Sequence, residues 1–148
     1  MYLKHIKVIT IAVSLLVLGI SLTQNVLVFS FNNEIKTAAS FDYFFMGAIA
    51  LMGGGTLEQI IWLANPLSLI AIRQLVKNDG KAVWYSLIAL SLAISFFFWN
   101  EILGSESGSM AKIISLEPGY YLWVLSILLL TIGIFINFRT SLKTILQS

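Results

Sequence analysis

Long stretches of this chain carry no charged side chain, and this feature limits the fold more than any other. Residues 8–31, 82–100 and 119–138 contain no Asp, Glu, Lys or Arg. A helix needs about 20 mainly apolar residues to cross a bilayer, so these runs predict crossings over about residues 6–30, 82–100 and 119–138. Charged residues make up only 11% of the 148, against about 25% in an average soluble domain. We therefore expect an integral membrane protein rather than a soluble one.

The segment between the first two runs is too long for one crossing and too short for two. It covers residues 41–76 and contains three charged residues. Its interior holds Gly53-Gly54-Gly55, and three glycines in a row favour a break in a helix. We expect a short interfacial or re-entrant helix over about residues 41–52. One long helix kinked at the glycines is the alternative.

The residues after the glycines predict that a helix begins again. Thr56 and Gln59 have the spacing of a capping box, in which Thr56 is the N-cap and Gln59 the third helical residue. The acid Glu58 then lies in the first turn, where the helix dipole favours it. This helix predicts a fourth crossing, over residues 56–76. We read the first span as a retained helix, because no small-residue signal-peptidase site follows it.

Together these segments predict an all-α fold. It is a single transmembrane domain over residues 1–148, a bundle of four helices with the short helix between the first and second spans. Small residues on several spans permit close helix packing. They are also compatible with a homo-oligomer.

The distribution of charge predicts the orientation. Seven of the nine basic residues fall on one side of the four spans: Lys4, Lys7, Arg73, Lys77, Lys81, Arg139 and Lys143. By the positive-inside rule this side is cytoplasmic, so both termini are expected inside. Six of the seven acids fall on or near the opposite side: Glu34, Asp42, Glu58, Glu101, Glu106 and Glu117. The outer face is therefore predicted to be acidic.

Polar residues gather near the predicted outer ends of the spans. They are Gln24, Asn25, Glu58, Gln59, Asn65, Asn100, Glu101, Glu117, Tyr120 and Tyr121. Polar side chains in hydrocarbon usually face the bundle interior or a water-filled cavity. If these converge, they form an outward-facing pocket. If they do not, most are ordinary interfacial residues.

Asn65 differs from the others because it lies deeper, about 13 Å into its helix at 1.5 Å per residue. The next residue, Pro66, has no backbone N–H and frees the carbonyl one turn earlier, near Trp62. An Asn side chain at this point can satisfy that carbonyl. The functional alternative is a kinked helix that lines a cavity.

The common catalytic patterns are missing from the sequence. The chain has no Cys and one His, and it contains no zinc-protease, nucleophile-elbow or phosphate-loop motif. We therefore expect no catalytic residue, no metal site, no cofactor and no enzymatic activity. Nucleic-acid binding is not expected from such short loops, and the bilayer itself is the expected partner of the basic side.

Two segments carry a resemblance to a known group. Trp62-Leu63-Ala64-Asn65-Pro66-Leu67 and Pro118-Gly119-Tyr120-Tyr121-Leu122-Trp123 resemble uncharacterised small bacterial inner-membrane proteins with four spans. The resemblance covers about a third of the chain. It implies a bacterial inner-membrane location and the four-span layout, and it implies no activity.

Two functions fit these features. The first is a non-enzymatic accessory or immunity-type protein that binds another membrane protein or an incoming toxin through its acidic outer face. The second is a lipid or small-molecule carrier or channel that uses a polar pocket near Asn65.

Overall fold

The computed structural model describes residues 2–105 and 108–146. Within them there are six α-helices and four β-strands, and the strands come in two pairs, one after α1 and one before α6. The helices are α1 (Tyr2–Leu22), α2 (Ser40–Ala48), α3 (Thr56–Trp62), α4 (Ala64–Val76), α5 (Lys81–Ser95) and α6 (Pro118–Leu146). The strands are β1 (Asn25–Phe31), β2 (Glu34–Ala39), β3 (Glu101–Leu103) and β4 (Met110–Leu116), and short 3-10 helices cover Ala50–Gly53 and Phe96–Phe98.

Four helical segments are long and apolar enough to cross a membrane. They are His5–Leu22, Thr56–Val76, Lys81–Phe98 and Pro118–Arg139. This agrees with the predicted four-span membrane class. The second segment joins α3 and α4, which are separated only at Leu63.

The spans pack as a partly open bundle. Helix α1 packs along α6, α4 packs along α5, and α5 also packs against α6, whereas α1 and α4 barely touch. Small residues let the backbones approach, since Ala64, Ala89 and Ala93 are fully buried around Ile127. At Gly133 of α6, an added Cβ would collide with the side chain of Thr10. The close α1–α6 contact therefore depends on this glycine.

The prediction of an all-α fold is wrong in one respect, because the two longer loops form a β-sheet. The strands lie in the order β2-β1-β4-β3, and all neighbours are antiparallel. Strand β1 comes from the segment after α1 and β4 from the segment before α6, so the sheet joins two distant parts of the chain. It packs on one end of the bundle, where Leu27, Ile102 and Ala111 are buried against Phe96 and Tyr120. We call this the sheet end.

The first apolar run ends as a strand rather than as a helix. Helix α1 stops at Leu22 and not at residue 30, and Asn25–Phe31 is β1. An uncharged run of Val, Leu and Phe is compatible with either a helix or a buried strand. The deciding signal is the turn that follows, in which Asn32 and Asn33 have φ angles of 53° and 64°. Two left-handed residues form the tight turn that suits a β-hairpin.

The short helix between the first two spans is present as α2, and a 3-10 helix continues it to Gly53. Gly54 has a φ of 88°, a left-handed conformation that favours glycine. Helix α3 begins at Thr56 as predicted, but the predicted capping box is wrong. Gly55 occupies the N-cap position without a side-chain cap. The side chain of Gln59 instead accepts a hydrogen bond from the backbone N–H of Leu51, at 3.3 Å.

Candidate functional site

A cavity of about 540 Å³ lies at the sheet end, between α2, α3 and β3. The end of α1, the 3-10 helix after α5 and the start of α6 complete its wall. Its volume falls in the range of about 300–1,000 Å³ that is typical of small-molecule sites. The residues that line it are Ser21, Leu22, Val26, Ser40, Tyr43, Phe44, Met46, Gly47, Ile49, Ala50, Met52, Gly53, Gly55, Glu58, Ile61, Trp62, Asn65, Phe96, Ile102, Leu103, Gly104, Ser105, Gly119, Tyr120 and Trp123.

The wall is mostly apolar and aromatic. Its polar side chains, apart from tyrosine and tryptophan, are Ser21, Ser40, Glu58, Asn65 and Ser105. Glu58 is the one charged residue among the described residues of the wall. An apolar cavity with a few fixed polar groups is the usual form of a small-molecule site.

Glu58 is fixed at the wall by a contact with the sheet. Its Oε1 accepts a hydrogen bond from the backbone N–H of Leu103, at 2.8 Å. The contact joins the first turn of α3 to β3. The pKa of Tyr43 in α2 is raised to about 12, first by burial and secondly by the charge of Glu58. The Tyr43 hydroxyl therefore keeps its proton at neutral pH and presents a neutral group.

Asn65 forms the deep end of the cavity and satisfies the break between α3 and α4. Its Nδ2 donates a hydrogen bond to the carbonyl of Trp62, at 3.1 Å, which is the carbonyl that Pro66 leaves without its helical partner. The predicted structural contact of Asn65 is thus present. Its Oδ1 accepts a second hydrogen bond from the indole Nε1 of Trp123 in α6, at 2.8 Å.

Ser40 is the polar group of the wall that the fold leaves unsatisfied. It is 6% exposed, and its buried Oγ has no hydrogen-bond partner among the described residues. The side chain lies directly beside Gly119, where an added Cβ would collide with the Ser40 Oγ. A buried hydroxyl without a partner costs free energy, and the Ser40 Oγ is packed against the backbone at Gly119.

A second and smaller cavity of about 60 Å³ continues below Asn65. It shares Phe44, Asn65 and Trp123 with the main cavity. Its other lining residues come from the facing sides of α1, α4 and α6: Ser14, Leu15, Leu18, Ser68, Leu69, Ile72, Ser126, Ile127 and Leu130. It therefore lies where α1 and α4 fail to close the bundle.

Three of the ten candidate residues from the sequence meet at the main cavity: Glu58, Asn65 and Tyr120. The Tyr120 hydroxyl already donates a hydrogen bond to the carbonyl of Ala93, at 2.9 Å. Tyr120 therefore contributes a ring face to the wall and also holds α6 against α5.

The other seven candidates do not line the cavity: Gln24, Asn25, Gln59, Asn100, Glu101, Glu117 and Tyr121. Gln24, Asn25, Asn100, Glu101 and Tyr121 are exposed side chains. Glu117 accepts a hydrogen bond from the Ser115 hydroxyl at 2.7 Å.

Three acids of the predicted outer face make separate local contacts. Glu34 forms an exposed ion pair with Lys36 at 3.1 Å. Glu58 accepts a hydrogen bond from a backbone N–H of β3, and Glu117 accepts one from a serine hydroxyl of β4. Glu106 lies outside the described residues.

Several lining residues were not among the sequence candidates. Tyr43, Phe44 and Trp62 are part of the wall, and Trp62 Nε1 donates a hydrogen bond to the Phe44 carbonyl at 2.7 Å, which holds α2 against α3. The sequence predicts residues 41–52 only as a short interfacial or re-entrant helix, without a part in a site. The cavity depends on the sheet, and without the sheet the sequence offered no reason to place α2 over the ends of the spans.

Among the residues that the structure describes, no group of three or more His, Cys, Asp or Glu side chains is placed to hold a metal ion. No protein-family model matches the chain, and neither a curated protein nor a solved structure matches it.

Proposed function

We propose that this protein is a non-enzymatic, multi-pass membrane protein that binds a lipid or another small amphipathic molecule in the cavity at the sheet end. The observation that carries the proposal is the cavity of about 540 Å³, which has an apolar wall and a few fixed polar groups.

We further propose that the protein lies in a bacterial inner membrane with both termini in the cytoplasm. The turn between α4 and α5 and the residues beside it carry Arg73, Lys77 and Lys81, at the bundle end opposite the sheet. Short basic loops favour the cytoplasmic side. The sheet and the cavity then face the outside.

Tryptophan fluorescence gives a direct test of binding. Trp62 and Trp123 line the cavity, while Trp84 is 69% exposed on α5. In a Trp84→Phe/Trp99→Phe variant, the remaining emission comes from the two cavity indoles. A spin-labelled alkyl alcohol should quench it saturably in detergent, and an unlabelled alcohol should restore it. Quenching that rises without saturation, and that no competitor reverses, would reflect partition into the detergent and would contradict the proposal.

The second candidate function is binding of another membrane protein or a toxin, as an accessory or immunity-type factor. One observation favours it, namely that β2 is an outer strand of the sheet and bonds only to β1. Open strand edges can pair with a strand of another chain. Ile35 of β2 is also 73% exposed.

The test for this candidate is crosslinking and affinity purification from the native membrane. An Ile35→Pro variant should lose a co-purified partner if the open edge binds it, while a Glu101→Gln variant at the opposite edge strand should keep it. Equal recovery of the partner with both variants would reject the β2 edge as the contact.

A further inference from the structure

We infer that the ligand comes from the bilayer and that it has a single alkyl chain and a head with hydrogen-bond donors, either a hydroxyl or an ammonium group. Its chain would lie between α1 and α4, and its head would face Glu58. This inference rests on the proposed function and adds the chemical class of the ligand.

The position of the chain follows from the gap in the bundle. Helices α1 and α4 barely touch, and the smaller cavity occupies the space between them. Leu15, Leu18 and Leu69 line that space. Because the walls of the two cavities share Phe44, Asn65 and Trp123, a chain that starts in the main cavity would pass beside these side chains to reach the apolar space near the middle of the span.

The charge of the wall selects the head. Glu58 is the one charged side chain on the described wall, and no Lys or Arg accompanies it. A phosphate or carboxylate head would therefore face an acid with no cation to neutralise it, and an unpaired charge in an apolar site is costly. A hydroxyl or ammonium head would instead donate a hydrogen bond to the Glu58 carboxylate.

The rim of the main cavity points to the bilayer as the source. Met46, Ile49 and Met52 line the cavity and are also 65%, 53% and 90% exposed. Met46 lies in α2, Met52 lies in the 3-10 helix that follows, and Ile49 lies between the two elements. Exposed apolar residues around a cavity mouth suit contact with acyl chains rather than with water. A molecule dissolved in the membrane would therefore meet an apolar entrance.

The test uses three probes with one chain and different heads: hexadecylamine, hexadecanol and hexadecanoate. Each competes with the spin-labelled alcohol for quenching of Trp62 and Trp123. The amine and the alcohol should each bind at least about tenfold more tightly than the carboxylate in this competition, a difference that corresponds to about 1.4 kcal/mol. Glu58→Gln keeps an acceptor for the Leu103 N–H and should remove most of this preference.

A second pair of variants tests the position of the chain. Ser68→Leu fills the smaller cavity and should weaken binding of hexadecylamine more than binding of octylamine, whose chain is shorter. Ser91→Leu makes the same change at an exposed position on α5 and should leave both probes unaffected. Equal effects of Ser68→Leu on the two probes would overturn the proposed chain site.

The outcomes separate the two proposals. If the spin-labelled alcohol does not quench the cavity indoles saturably, the proposed function itself fails. If it does, but the three heads compete equally in the wild type and in Glu58→Gln, binding stands and the inference about the head is overturned.

Discussion

The indole Nε1 of Trp123 donates a hydrogen bond to the Oδ1 of Asn65 across 2.8 Å. The same Asn65 donates from Nδ2 to the carbonyl of Trp62. One side chain thus satisfies the helix break before Pro66 and joins it to α6. The two residues also line both the main cavity and the smaller one, so the structure of the wall between the cavities depends on this pair.

Replacing Asn65 with Leu should destabilise the protein. The change leaves the Trp62 carbonyl and the Trp123 N–H without their partner, and each unsatisfied buried group costs about 1–3 kcal/mol. Unfolding in detergent would measure the loss. A double-mutant cycle with Trp123→Phe should give a coupling on the order of 1 kcal/mol. Strictly additive effects would show that the hydrogen bond contributes nothing to stability.

Replacing Gly119 with Ala should weaken the attachment of the sheet to the bundle. The new Cβ would meet the Ser40 hydroxyl and would lie 2.5 Å from the Asn25 carbonyl oxygen, which is backbone and cannot rotate away. We expect a loss of about 1–3 kcal/mol, as for other overpacked positions. Gly19→Ala is the matched control, since nothing lies within 4 Å of its added Cβ. Unfolding of both variants at the wild-type temperature would contradict the close contact of Gly119 with Ser40 and Asn25.

The hairpin turn predicts opposite effects of two substitutions at one position. Asn33 has a φ of 64°, where a β-branched residue costs about 1–2 kcal/mol. Asn33→Val should therefore lower stability, whereas Asn33→Gly should keep or raise it. Thermal unfolding of the two variants checks this. A Val variant as stable as the Gly variant would argue against the left-handed turn and hence against the β1–β2 hairpin.

Glu58 should protect one backbone amide of β3 from exchange. Because a hydrogen bond to a charged group is worth about 1.5–3 kcal/mol, Glu58→Ala should speed hydrogen exchange at the Leu103 N–H by at least about tenfold. Glu58→Gln retains an acceptor oxygen and should speed it much less. An unchanged exchange rate in the Ala variant would show that Glu58 does not accept a hydrogen bond from the Leu103 N–H.

Tyr43 predicts a loss of stability at high pH. Its pKa is raised from 10.0 to about 12 in the folded protein, so above pH 10 the unfolded chain loses this proton first. The contribution of the protonated Tyr43 side chain to the free energy of unfolding is therefore fully present below about pH 10 and falls as the pH rises towards about 12. Unfolding of the wild type and of Tyr43→Phe should be compared across this range, because other titrating groups are common to both. A stability difference between the two that does not change with pH would contradict the raised pKa.

The four spans were predictable because a bilayer demands long uncharged runs, and few other folds have them. The carbonyl partner of Asn65 was also predictable, because the missing N–H of Pro66 leaves the Trp62 carbonyl without its helical partner. These features depend on residues that are close together in the sequence.

The sheet was not predicted, because its central pairing joins β1 to β4 across the length of the chain. Its local signals were weak, since residues 25–31 extend the first apolar run and Asn32-Asn33 is a less common turn pair than Asn-Gly. The error carried over to the site. With residues 6–30 treated as one helix, nothing placed β3 beside Glu58, and the enclosing wall of the cavity could not be foreseen.

The most direct measurement is a crystal structure of the protein grown in a lipid phase with terminally brominated hexadecylamine, with an anomalous difference map to locate the bromine. We expect a bromine peak between α1 and α4, near Leu18 and Leu69, with electron density leading back to Glu58. An empty cavity, with bromine peaks only on the outer surface of the spans, would contradict it.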